Sequence, residues 1–240
     1  FRSWLFAFVY ILTICMGSLF FIMIQHATKA GWSSSIRRVA EHVAFNLQWL
    51  WVLFLPLITL VLSGYGGLVW HWMDPAHMDP IIEGKSGYLN IPFWLVRAVL
   101  FLSAFYFASR FFVGTSIAQD DSGDPSLTMK MQKWVPAFIA TFALSLTFAA
   151  FDWVMSIEAH WFSTMFGVYM LAMSFTGFFS SFCVIFFVLR WKKKLLNEVT
   201  VEHWQDMGKL LFGLGIVFHA YIGFSQYMLC LLYTSPSPRD

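Results

Sequence analysis

Six stretches of this chain are long and apolar enough to cross a lipid bilayer, at residues 4–24, 45–72, 91–112, 134–155, 161–189 and 210–229. A spanning helix needs about 20 mostly apolar residues. Hydrocarbon offers no partner to backbone N–H and C=O groups, so a run of this length must satisfy them internally, as a helix. With 59% hydrophobic and 12% charged residues, the chain also falls short of the roughly 25% charge typical of a soluble domain. The expected fold class is an all-α integral membrane protein with six visible transmembrane helices. Trp32, Trp49, Trp70, Trp72, Trp94, Trp134, Trp161 and Trp191 crowd the run ends, as in an interfacial belt. Pro92 and Pro136 suit the first turn of a helix, whereas Pro56, deep in the second run, predicts a kink.

The loops sort by charge. Those after the first, third and fifth runs carry Lys29, Arg37, Arg38, Arg110, Lys130, Lys133, Arg190, Lys192, Lys193, Lys194 and Lys209. The opposite face holds only Arg2 and Lys85, with Arg97 about a turn inside the third run. The positive-inside rule makes the basic face cytoplasmic, so the chain enters its first run from outside and an odd number of spans is expected upstream. The first run is too long for a signal peptide and lacks a small-residue cleavage site. Nucleic acid is not an expected partner, because basic residues occur in loops and form no face interleaved with aromatics. Cys15, Cys183 and Cys230 form no CxxC or CxxCH, which argues against a c-type haem, an iron–sulfur cluster or a structural zinc held by this chain.

Charges inside apolar runs need a partner or a use. Asp152 ends the fourth run, about 24 Å up a helix from Pro136, near the outer interface. Glu158 and His160 follow in a short outer loop, and His71, Asp74, His77, Asp79, Glu83, Lys85 and Arg97 share that face. An Asp152–Arg97 ion pair tethering two helices competes with a proton-carrying role for Asp152. His71 and Trp72 fit an anchor at the headgroups. HWMDPAHMDP has the letters of a metal site, but its His and Asp residues do not share a helical face, and no metal is expected. On the inner side Arg37 and Arg38 stand one turn from Glu41, as in a juxtamembrane helix, with Gln25 and His26 nearby. His219 lies about eleven residues into the sixth run, at mid-membrane depth, either hydrogen-bonded to a neighbouring helix or functional. No second histidine matches that depth, so bis-histidine haem is not expected. Quinol oxidation needs such protonatable groups together with aromatic walls, although transporters use similar parts.

Three stretches, AFDWVMSIEAHWFSTMFGVY, IQHATKAGWSSSIRRVAEHVA and DPIIEGKSGYLNIPFWLVRAVLF, together resemble the quinone-associated membrane subunit (ActF type) of alternative complex III. That subunit belongs to the NrfD/polysulfide-reductase membrane-subunit family. The resemblance covers nearly all of residues 1–229 and implies a ten-helix subunit with two four-helix bundles, lacking here one span before Phe1 and about three after Leu229. It implies membership of a quinol:cytochrome c (or other high-potential acceptor) oxidoreductase in a bacterial cytoplasmic membrane, with quinol, of the menaquinol class, and no haem or cluster of its own. Multihaem c-type cytochrome and iron–sulfur subunits and a homologous NrfD-like membrane subunit are the implied partners, beside the lipid bilayer. Asp152, Glu158, His160 and His219 are then candidates for proton transfer or quinol chemistry. His26, Arg37, Arg38, Glu41, His71 and Arg97 are candidates for quinone binding or a proton path. A quinone-binding anchor of a molybdopterin enzyme is a second reading, and a proton-coupled transporter a third. Against the transporter, the Gly64–Gly67 break has no twin in another run. Residues 230–240, CLLYTSPSPRD, match one reading frame of a common transposase sequencing adapter and are expected to be an artefact of it.

Overall fold

The computed structural model describes residues 1–194 and 199–234. Helix α1 is Arg2–Ala27; α2 (Ser34–Phe45), a 3₁₀ turn (Asn46–Trp49) and α3 (Leu50–Leu62) run on as one rod. After three 3₁₀ turns and the short α4 (Pro80–Gly84) come α5 (Ile91–Ser122), α6 (Ser126–Trp153) and α7 (Phe166–Trp191). A last rod joins α8 (Val201–Leu210), a π-helical segment (Leu211–Val217) and α9 (Phe218–Thr234). Six of these units are long and apolar enough to cross a membrane, and no strand occurs among the described residues. The chain therefore has the make-up of a multi-pass membrane protein.

The second span sits elsewhere than the apolar run 45–72 suggests, at Ser34–Leu62. Gly64 stops it in the left-handed region at φ 81°, with Gly64 N–H donating to Val61 O and Tyr65 N–H to Leu60 O. This is a Schellman cap, which glycine accepts without a Cβ penalty. The apolar residues beyond it belong to a loop folded over the end of the bundle. Trp70 and Trp72 are buried there, and Trp94 is buried on α5, so these three fill the protein interior and are not headgroup anchors. At its other end the span reaches back to Ser34 because Glu41 finds its partners inside the fold. Pro92 does occupy the first turn of α5, which Asn90 caps through Phe93 N–H at 2.9 Å. Pro136, expected at a helix start, lies inside α6. The helix runs unbroken through Pro56, and the tightened 3₁₀ turn lies upstream of it. Of the tail read as adapter-derived, residues 230–234 continue α9 and residues 235–240 lie outside the described residues.

Helix α1 is the hub. The α2–α3 rod, α5, α6 and α7 all touch it, and α8–α9 lies against α7. Between lipid-soluble helices the hydrophobic effect gives little, so close packing has to hold them. Gly17 of α1 shows how close: a Cβ there would stand 2.6 Å from Phe178 Cβ of α7. Towards the Asp152 end the core is aromatic, with Phe54 at 4.9 Å from Trp153 and 5.9 Å from Trp94, and Trp70 at 5.0 Å from Trp94.

Candidate functional site

Polar groups collect at the two ends of the bundle. At one end Asp152 is 0% exposed, and Arg97 of α5 grips both its oxygens, Nε to Oδ2 at 2.5 Å and Nη2 to Oδ1 at 3.1 Å. The third arm of the guanidinium, Nη1, donates to Tyr88 O at 3.0 Å. Its carbon lies 3.9 Å from the centre of the Tyr88 ring and 4.2 Å from that of Phe93, a cation–π clamp. Asp152 O accepts Trp94 Nε1–H at 3.1 Å and the Ser156 hydroxyl at 2.6 Å. The Tyr88 hydroxyl is buried beside the Asp152 carboxylate, in a geometry short of a full hydrogen bond. Burial, then the neighbouring negative charge, holds this phenol well above its usual pKa.

Outside this joint lies an exposed triad. His160 Nε2 meets Asp79 Oδ2, and Nδ1 lies 3.2 Å from Glu158 Oε1. Carboxylates only accept, so both contacts together call for N–H on both ring nitrogens, an imidazolium. The bond to Asp79, then that to Glu158, raises the His160 pKa. Asp79 also caps α4 through Ile82 N–H at 2.8 Å, which with His160 lowers its own pKa. Beside the triad opens a cavity of about 300 Å³, walled by Tyr88, Phe151, Met155, Phe162, Lys85 and Glu158. Lys85 Nζ donates to Ala159 O at 2.5 Å and lies over the Phe162 ring. His71 stands in the loop, where its Nε2 accepts from Arg2 Nη2 at 2.8 Å and its ring stacks on His77 at 5.3 Å.

At the opposite end Glu41 is 2% exposed. Arg38 Nη1 reaches its Oε2 at 2.6 Å, Arg37 Nε its Oε1 at 3.4 Å, and the Ser116 hydroxyl lies 2.9 Å from both oxygens. Arg38 also pairs with Asp120. A polar cavity of about 470 Å³ opens here, lined by Ser34, Arg37, Arg38, Glu41, Gln119 and Thr128 among others. Instead of lying flat on a membrane surface, this segment starts a span. His26 is buried against Phe112, ring centres 5.9 Å apart, and its Nε2 has no hydrogen-bond partner. Mid-way along the last rod, His219 Nδ1 lies 3.4 Å from Thr176 Oγ1 and its ring 5.1 Å from that of Tyr169.

No protein-family model and no curated protein matches this chain.

Three groupings of the sequence candidates emerge: Asp152 with Arg97, Glu158 with His160, and Arg37 and Arg38 with Glu41. His71, His26 and His219 stand apart from one another. Tyr88, Ser116, Asp120, Tyr169 and Thr176 escaped sequence reasoning. Ser116 alone left a trace, since it falls nineteen residues after Arg97 on one helix, about 28 Å or one membrane thickness. Among the described residues no group of three or more His, Cys, Asp or Glu is placed to hold a metal ion.

Proposed function

We propose that this chain belongs to the quinone-associated membrane subunit of a quinol oxidoreductase of the alternative complex III type, an NrfD-like subunit of ten helices of which six are seen here. The observation that carries this reading is the 300 Å³ cavity at the Asp152 end, with aromatic walls and one carboxylate, Glu158, hydrogen-bonded onward to His160 and Asp79. Its volume and lining suit a substituted aromatic ring. A quinol that gives up electrons must also give up a proton from each hydroxyl. Glu158 is placed to accept one at the cavity wall, and the His160–Asp79 pair to pass it to the aqueous loop face. Asp152 is poorly suited to that task, because Arg97 occupies both its oxygens; it holds α5 and α6 in register and so fixes Tyr88 in the cavity wall. The sparse positive charge of this end supports an outward orientation in a bacterial cytoplasmic membrane, towards multihaem and iron–sulfur partner subunits that would take the electrons. Glu41, Arg37, Arg38 and the polar cavity beside them would then face the cytoplasm as a proton entry.

The test is Glu158→Gln in the complete, assembled complex. Quinol turnover should fall by about 100-fold, the lower range for loss of a positioned proton acceptor, with subunit composition unchanged. Unaltered turnover would remove the cavity from the mechanism.

A further inference from the structure

The π-helical segment Leu211–Val217 ends two residues before His219. Such segments are rare and gather at functional sites, because they turn the residues beyond them out of α-helical register. Gly215 of this segment faces α7, where a Cβ would reach van der Waals distance, 3.4 Å, from Thr176 Cα. Across that contact the Thr176 hydroxyl lies 2.9 Å from Gly215 O and 3.1 Å from Ala172 O. A threonine hydroxyl has one proton to give and two lone pairs to offer. Both carbonyl oxygens stand nearer to it than His219 Nδ1 does, which directs that proton to Gly215 O or Ala172 O. What remains towards His219 Nδ1, at the long hydrogen-bond distance of 3.4 Å, is a lone pair.

We propose that Thr176 is the positioning residue of His219, holding the proton of the ring on Nδ1 and leaving Nε2 as the nitrogen that gains or loses a proton or accepts from the hydroxyl of a lipid-soluble, quinol-class ligand. Tyr169 completes the placement. Its ring meets the His219 ring edge-on and lies over Gly223, one turn further along, where a Cβ would stand 3.6 Å from Tyr169 Cε2. His219 lies ten residues beyond Lys209, the last charged residue of the rod within the described residues, which is about 15 Å along its axis. The functional use of Nε2 rests on the quinol-oxidoreductase reading; the assignment of the nitrogens does not.

The experiment is ring-nitrogen NMR of the full chain, labelled with ¹⁵N-histidine and reconstituted in lipid bilayers, at a pH where the His219 ring is neutral. The His219 signals are those lost in His219→Gln. The expected result is a single tautomer with a protonated Nδ1 and a bare Nε2. Thr176→Ser should keep it, and Thr176→Val should give a mixture of tautomers. A wild-type ring protonated on Nε2 overturns the proposal even if Thr176→Val does not fold, as does a Thr176→Val spectrum identical to wild type. Neither quinol nor a partner subunit is needed, so a failure of the quinol reading would leave this result standing, and the reverse also holds.

Discussion

Asp152 and Glu41 are both buried carboxylates paired with arginine, yet they make different devices. Asp152 meets one arginine, which is clamped between two rings and has given its remaining arm to a carbonyl. Glu41 is shared by two arginines and a serine and opens on a polar cavity. The first is a closed joint in which every nitrogen of the arginine is engaged and the Tyr88 hydroxyl is the one loose polar group beside it. Around the second the groups are redundant and water can enter. Residue type therefore says little about whether a buried charge can exchange protons; the number and freedom of its partners say more.

The widest test of this contrast is to remove one partner at each end. Arg97→Met should cost about 3–5 kcal/mol, the range for stranding a buried charge, read as loss of thermal stability of the purified protein in detergent. The double variant Arg97→Met/Asp152→Leu should recover most of that loss. A cost for Arg97→Met below about 1 kcal/mol, the scale of an exposed pair, would mean that Asp152 is wet after all. Arg37→Met should cost less, about 1 kcal/mol, since Arg38 and Ser116 still hold Glu41. Equal losses at the two ends would erase the distinction.

A smaller effect lies in the exposed triad. His160 has a raised pKa, so its share of the link is fully present below the ordinary histidine value of about 6.5 and is lost as pH rises through its higher folded value. Asp79 has a lowered pKa, and its share is present above the ordinary aspartate value and lost as pH falls through the depressed one. Protection of the 79–90 and 155–165 loops from hydrogen exchange, taken relative to the intrinsic rate at each pH, should thus be greatest between those limits and fall as pH climbs past the raised His160 value. His160→Gln should flatten the alkaline arm. An unchanged profile in that variant would detach the triad from loop order.

Six spans could be read from the sequence because length and apolarity are what a bilayer selects. The Asp152–Arg97 pair was readable as well, since a charge in an apolar run needs a countercharge and Arg97 lay at matching depth. The end of the second span was not. Hydropathy counts Trp70 and Trp72 as apolar whether lipid or protein covers them, so loop and span merged into one run, and Gly64 is one glycine among the several of that stretch. Tyr88 and Thr176 were illegible for another reason. A hydroxyl acquires its meaning from what packing brings opposite it, and no local pattern marks that.

The last turn of α6 carries an implication for how the molecule is made. Carbonyls at a helix end are costly in hydrocarbon until something donates to them. Those of Asp152 and Trp153 receive the indole N–H groups of Trp94 and Trp70. Both tryptophans precede α6 in the chain and leave the ribosome before it. The end of α6 is thus closed by donors from segments that are synthesised before it.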